Sequence, residues 1–310
     1  MSGIHHVTAI AGNAARNFDF YTRVLGLRLV KKTVNFDDPG TYHLYYGDVA
    51  GNPGTILTFF PWEHAAAGRN GVGLTQTTAF RVPAGSIGYW THRLVAKGIK
   101  HEAPLKLFGE TVLAFSDPDG MSLALVGVAE AATAQTSAVG CIPAEHAIRG
   151  FHGVTLLLVE ADPTGAVLTE VLGFSKTGRE GGTVRFKASG GVGGVIDIRE
   201  AKEFLPGRLG RGSVHHIAFR AADEAEQAEI ARKLVENHGL HPTGQKDRQY
   251  FRSIYFSEPG GILFEIATDQ PGFAVDEPLA TLGQELKLPG FLEHRRKELE
   301  GMLPSLETAG

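Results

Sequence analysis

Hydrophobic and polar positions along the chain recur in a fixed order. Four short stretches rich in β-branched and aromatic residues open four segments, at residues 4–10, 77–82, 151–156 and 214–220. Each reads as a β-strand. A stretch with helical spacing follows each opener, at 15–25, 86–97, 164–172 and 224–237, and each ends near a glycine: Gly26, Gly98, Gly173 and Gly239. A glycine at that place fits a helix C-terminus, where the chain turns left-handed. Two or three further strand patterns complete each segment. In three of them the last strand follows a proline–glycine turn, at 52–54, 117–120 and 258–261, and the third segment uses Gly193 and Gly194 alone. The pattern is βαβββ, four times over, at about 50–75 residues per copy.

This order predicts an α+β fold of four βαβββ modules. The expected division is an N-terminal half at 1–128 with two modules, an Ala/Thr/Ser-rich connection at 129–149, a C-terminal half at 150–272 with two modules, and a polar tail at 273–310 carrying a charged surface helix at 292–302.

Internal repeats permit a test of function within one chain. A residue the module needs for folding recurs in every copy, whereas a residue needed for chemistry stands only where a site is built. Aligned on the openers, His6 matches Thr77, Gly153 and His216, so two copies place histidine in one slot. Aligned on the closing turns, Glu265 matches Phe59, Ala124 and Ile198. Glu265 interrupts an apolar run from Ile262 to Ala267. A carboxylate buried alone costs several kcal/mol, so it is paired, protonated or bound to a metal. Arg248 and Arg252 are candidate partners.

A single strand histidine is usually a hydrogen-bonded core residue. Here both slot histidines belong to pairs, His5–His6 and His215–His216. Neighbours in a strand face opposite sides, so one of each pair can face a concave pocket while the other faces away or supports it. Two histidines and a glutamate from separate strands form a facial set with open coordination positions, which suits non-heme Fe(II) or Mn(II) oxygen chemistry.

Composition narrows the field. The 310 residues are 43% hydrophobic and 21% charged, enough to bury two cores and too apolar for wholesale disorder. The net charge is −4 and no Lys/Arg block occurs, so neither nucleic acid nor an anionic membrane is an expected partner. A single cysteine, Cys141, excludes an intramolecular disulfide and any multi-cysteine metal site, and its linker position predicts an exposed bystander thiol. The N-terminal sequence has no signal-peptide pattern, and no apolar run approaches the ~18 residues of a membrane span, so the cytoplasm is the expected compartment.

At the βαβββ units, the strand-one histidines and the strand-four glutamate, the chain resembles the vicinal-oxygen-chelate superfamily of glyoxalase I, extradiol dioxygenases and antibiotic-resistance proteins. The resemblance covers about residues 3–268. Within it, His5-His6-Val7-Thr8, the run from Val30 to Phe36, Tyr42-His43-Leu44-Tyr45-Tyr46, Pro53-Gly54-Thr55, His215-His216, Asp247-Arg248, Ser253-Ile254-Tyr255 and the run from Pro259 to Glu265 are similar to the hydroquinone ring-cleaving dioxygenases.

The resemblance implies two paired halves, each forming an incomplete β-barrel. It implies metal ligation by His6, His216 and Glu265, the same three residues the repeats single out, with supporting roles for His5, His215, Arg248 and Tyr255. The implied activity is extradiol-type ring cleavage of a substituted hydroquinone with O2. The implied cation is iron(II), with manganese(II) as the alternative and zinc or nickel as adventitious occupants. A homodimer is implied by analogy alone. Under this reading His215 or Tyr255 accepts or relays the substrate proton, Arg248 stabilises an anionic oxygen and His5 orients a ligand. Phe59, Phe60 and Trp62 are candidates either for the ring pocket or for the core.

One departure from the catechol-cleaving branch bears on the ligands. There both histidines and the glutamate lie in one half of the chain, whereas here the third copy has Gly153 in the slot with His152 one place earlier. A one-residue slip of register would let His152 replace His6. Two rival readings use the same fold. A glyoxalase-like lyase or isomerase with zinc or nickel needs a fourth protein ligand, and Phe59 stands where one is expected. A metal-free binding or resistance protein needs only an apolar cup.

Overall fold

The computed structural model describes residues 3–133 and 142–307; the expectation for Cys141 lies outside them. Four modules are present. The first comprises β1 (Ile4–Ala11), α1 (Ala14–Asp19), β2 (Arg28–Asn35), β3 (Asp38–Gly47) and β4 (Ile56–Pro61). The second comprises β5 (Leu74–Pro83), α2 (Ile87–Ala96), β6 (Leu105–Leu107), β7 (Glu110–Ser116) and β8 (Ser122–Val128). The third comprises β9 (Phe151–Leu158), α3 (Asp162–Glu170), β10 (Ser175–Glu180), β11 (Thr183–Lys187) and β12 (Val195–Glu200). The fourth comprises β13 (Ser213–Ala221), α4 (Glu224–His238), β14 (Lys246–Asp247), β15 (Phe251–Ser257) and β16 (Leu263–Pro271).

The helix boundaries follow local chemistry. Asn13 caps α1 and Asp223 caps α4, each accepting from a backbone N–H of the first turn. Gly239 ends α4 at φ 63°, the left-handed conformation that a glycine adopts without a Cβ penalty. The first helix is shorter than its periodicity suggests, because a π-helical turn, Phe20–Val24, takes over its second half.

The strands form two eight-stranded sheets, ordered β14-β15-β16-β13-β1-β4-β3-β2 and β10-β11-β12-β9-β5-β8-β7-β6. Each is a curled half-barrel, as the resemblance implied. The pairing crosses the expected halves of the chain. β1 lies antiparallel to β13, so module one joins module four, while β5 lies antiparallel to β9, so module two joins module three. Buried carboxylates lock the two barrels together at the closing turns. Asp117 accepts from Met121 N, 2.8 Å, and from the Tyr21 hydroxyl, 3.0 Å. Glu258 accepts from Ile262 N, 2.9 Å, and from the Thr164 hydroxyl.

The tail is more than a polar appendage. It ends in a 3₁₀ turn and α5 (Arg296–Met302), whose Leu299 joins Leu288 and Leu292 in a cluster over Val34 of β2. Of the span expected to be helical, 292–302, the second part is α-helix and the first a 3₁₀ turn, with Leu299 buried and Met302 exposed. Among the described residues no helix is long and apolar enough to cross a membrane.

Candidate metal centre

His6, His216 and Glu265 come together at the junction of β1, β13 and β16. Their ligand atoms lie within 4.8 Å of one another and all three side chains are buried. The strands β1 and β13 cross here with two bulges. Ile4 pairs with Phe219 and His6 with Ala218, so His5 is the extra residue of β1; Val214 pairs with Ala9 and His216 with Thr8, so His215 is the extra residue of β13. A bulge removes its residue from the usual alternation. Each extra histidine therefore reaches its neighbour instead of facing away from it: Nδ1 of His5 is 2.9 Å from Nδ1 of His6, and Nδ1 of His215 is 2.8 Å from Nδ1 of His216. The alternation expected from the sequence is corrected at these two points.

The hydrogen bonds set the tautomers. Burial above all holds the His5 imidazole well below its ordinary pKa, so the ring is neutral. With its proton on Nε2, His5 uses Nδ1 to accept from His6 Nδ1–H. The Nε2 of His6 is then a bare lone pair. The His215–His216 pair repeats this geometry, and burial likewise lowers the pKa of His216.

Glu265 completes the set. One carboxylate oxygen accepts from the Ser253 hydroxyl. The other, Oε2, is buried without a hydrogen-bond partner, 3.3 Å from His6 Nε2 and 2.9 Å from His216 Nε2. Burial pushes this carboxyl up, but His6 and His216 hold it well below the usual carboxylate range. With both imidazoles neutral and protonated on Nδ1, three electron-pair donors face one point. That arrangement repels itself unless a cation sits among the donors, and the donor set fits a divalent metal. Arg248 and Arg252 are not the partners of Glu265. Arg248 Nε donates to the Tyr255 hydroxyl, 3.1 Å, and Nη1 lies 3.4 Å from Asp37, while Arg252 faces Glu224 and Gln245.

The triad lines a cavity of about 420 Å³. Tyr45, Phe60, Trp62 and Phe251 supply aromatic walls; His215, Arg248 and Tyr255 supply polar groups. Phe59 does not contribute. It is fully buried against Tyr21 and Tyr46 in the core.

Strand pairing also corrects the alignment of closing strands. His6 faces Ile56, Ile217 faces Phe264, Thr78 faces Leu123 and Gly153 faces Val195. Counted from these partners, the counterparts of Glu265 are Thr58, Ala124 and Asp197, so Phe59 and Ile198 are each one residue out. Thr58 donates to the Thr8 hydroxyl, 3.0 Å, and accepts from His43 Nε2, 2.8 Å; His43 Nδ1 then accepts from the Tyr45 hydroxyl, 2.8 Å. His43, Tyr45 and Ser253 had no assigned role in the sequence reading. Their only signal was membership in the similar strings. His152 is not a ligand. It occupies the bulge of β9, as His5 does in β1, and binds Glu110 at 3.2 Å.

The site and fold agree with what the chain resembles. Residues 3–125 match the family model of the glyoxalase/bleomycin resistance protein/dioxygenase superfamily. MhqO of Bacillus subtilis, assigned by name to the ring-cleaving dioxygenases, is 46% identical over 97% of this chain and 96% of its own length. The chlorohydroquinone/hydroquinone 1,2-dioxygenase of Sphingobium indicum is 33% identical over 96% of this chain and 95% of its own. A Bacillus subtilis protein whose crystal structure is assigned to the dioxygenases superposes with a TM-score of 0.94 at 44% identity, covering 98% of this chain and 97% of that one. The chain belongs to the glyoxalase/bleomycin resistance/dioxygenase superfamily.

Proposed function

We propose that this protein is a metal-dependent, extradiol-type ring-cleaving dioxygenase acting on a para-diol, a substituted hydroquinone, with iron(II) as the native cation and manganese(II) as the alternative. One observation carries this reading: two imidazole Nε2 atoms and a carboxylate oxygen without a hydrogen-bond partner converge on the wall of a cavity sized and lined for an aromatic ring. The full-length relatives named for ring cleavage and hydroquinone oxidation support it.

His6, His216 and Glu265 would hold the metal; once bound, it would lower the phenol pKa and bring ring and O2 together for electron transfer. The surrounding side chains then act as donors. Burial raises the Tyr255 phenol well above its usual pKa, so it keeps its proton, and its oxygen accepts from Arg248. His215 is lowered to about 4 by burial and by His216, so it is neutral at physiological pH. With its Nδ1 accepting from His216, its hydrogen would stand on Nε2 of a ring lining the cavity. Neither residue is poised as the proton acceptor in this state. With Arg248 they form a donor set suited to a phenolate or a developing oxyanion. His5 fixes the orientation and tautomer of His6.

A glyoxalase-like lyase is disfavoured by Thr58. The position related to Glu265 by the repeat holds a neutral hydroxyl engaged with Thr8 and His43, not a fourth ligand. Metal analysis of protein purified without added metal, followed by oxygen-electrode assays with hydroquinones and catechols, tests the proposal. Uptake of one O2 per hydroquinone with a ring-opened product is expected. Thiol-dependent turnover without O2 consumption would establish the lyase, and a metal-free protein that binds aromatics would establish a binding module.

A further inference from the structure

The metal cavity opens between the two edges of its own sheet. One edge is β2 and the other is β14 with β15. Both line the cavity, through Asn35 to Asp38 on one side and Lys246 and Arg248 on the other. Curling brings the edges together without joining them by backbone hydrogen bonds, so side chains must span the gap.

Two ties do so. The outer one is Arg248 to Asp37 at 3.4 Å, with Asp37 74% exposed, a loose pair in water. The inner one runs through the tail. Lys31 of β2 is fully buried, and its ammonium meets Asp276 Oδ1 at 2.6 Å and also Glu277. The second oxygen of Asp276 accepts from Gln249 Nε2 at 2.8 Å and from the Tyr250 hydroxyl at 3.0 Å. Gln249 and Tyr250 directly follow Arg248. Gln249 stands at φ 68°, a left-handed conformation that a side chain adopts only when its surroundings hold it. A single carboxylate therefore links one sheet edge to the strained turn of the other.

Glu277 lets the two roles of this cluster be separated. It neutralises Lys31 without Asp276, so the buried charge does not require Asp276 for compensation. What Asp276 adds is the hydrogen bonding of the Gln249 and Tyr250 side chains.

We propose that Asp276 is a positioning residue for substrate binding: by bridging Lys31 to the 249–250 turn it fixes Arg248 at the cavity wall and sets the width of the opening. This rests on the reading above that Arg248 touches the substrate. Phe273 of the tail packs on Tyr45 and Tyr250 beside this bridge, but among the described residues it is Asp276 that hydrogen-bonds to both edges.

The test is Asp276→Asn, which keeps an oxygen for Lys31 and turns an amide towards two donors. Hydrogen exchange of amides 247–251 should quicken about tenfold relative to β1, a readout that needs neither substrate nor turnover. Anaerobic titration with hydroquinone, followed through the fluorescence of Trp62 in the cavity, should show a Kd raised about fivefold. KM should rise alike with kcat within about twofold and metal content unchanged. Asp197→Asn, in the other barrel, serves as the control for general loosening and should leave exchange at 247–251 and KM unaltered. Unchanged exchange in Asp276→Asn, or the same changes in the control, overturns the proposal. If the unaltered protein consumes no O2 with any hydroquinone, the dioxygenase reading fails, and the exchange experiment still decides the role of Asp276.

Discussion

The two half-barrels share one architecture and hold different things. Each is built on a central antiparallel strand pair with two bulges, and each places a histidine on at least one of them: His5 and His215 in the first barrel, His152 in the second. In the first, Glu265 keeps an oxygen with no protein donor. In the second, Asp197 fills the same slot but is gripped by Arg185 through two bonds of 2.8 and 2.7 Å. Arg185 also reaches Glu110 at 2.6 Å and lies over the Phe108 ring, and Glu110 takes His152. The second barrel brings its own cation; under the proposed function, the first would take one from solution. The ligand slots differ as sharply. A Cβ at Gly153 would fall 1.9 Å from the Val195 carbonyl oxygen, so no side chain fits where His216 stands in the first barrel. The module supplies a buried acidic position, and the neighbouring side chains decide whether it becomes a metal centre or an ion-pair plug.

Substitutions at the paired positions sharpen this contrast. Glu265→Gln should have the largest effect. Metal content should fall sharply and O2 uptake by about a hundredfold or more, because the one anionic ligand of an open three-ligand site is lost; metal analysis and an oxygen electrode read both. Asp197→Asn should leave metal content intact but destabilise the chain by about 3–5 kcal/mol, since Arg185 is left buried without its main counter-charge; denaturant unfolding measures it. Tyr255→Phe removes one donor from the cavity while the ligands stay in place. A drop in kcat/KM of about tenfold, at full metal occupancy, is expected from steady-state kinetics.

The smallest effect concerns Glu110 and pH. Burial alone would raise its carboxyl, but His152 and Arg185 hold it down to about 2. A folded-state value below the unfolded one adds stability above the ordinary carboxylate range and loses it as pH falls towards the folded value. Glu110→Gln should therefore cost about 1 kcal/mol at pH 6 to 7, after solvent screening, with the gap to the unaltered protein closing between about pH 4.5 and 2. Urea midpoints across that range check the sign. A gap that widens in acid would mean that Glu110 is not held by these partners.

Much of the first barrel was legible in the sequence because its signals are local. A β-branched opener, a capped helix with a terminal glycine and a proline–glycine turn each occupy a few residues. The three donor residues stood out because the copies differ where chemistry is built. Other features depend on partners far along the chain. The crossing of modules follows from strands about two hundred residues apart, which no periodicity encodes. The bulges at His5 and His215 appear only when one strand is laid on another. Thr58 and Asp197 were missed by one position because the closing strands were counted from turns of unequal length, whereas the register is set by the neighbouring strand. His43 and Asp276 gain meaning only from what they touch: a threonine hydroxyl in one case, a turn at the opposite sheet edge in the other.

The crossed pairing has a consequence for biogenesis. The second barrel spans β5 to β12 without interruption, whereas the first takes strands from both ends of the chain and encloses the second in sequence. On the ribosome the inner barrel can assemble from a contiguous nascent segment, while β1 to β4 wait for β13 to β16 to emerge. His6 must stay exposed through that delay, with its strand edge unpaired until synthesis nears completion. On the proposed metal reading, the cation site is complete only once β16, which carries Glu265, has joined β13 and β1.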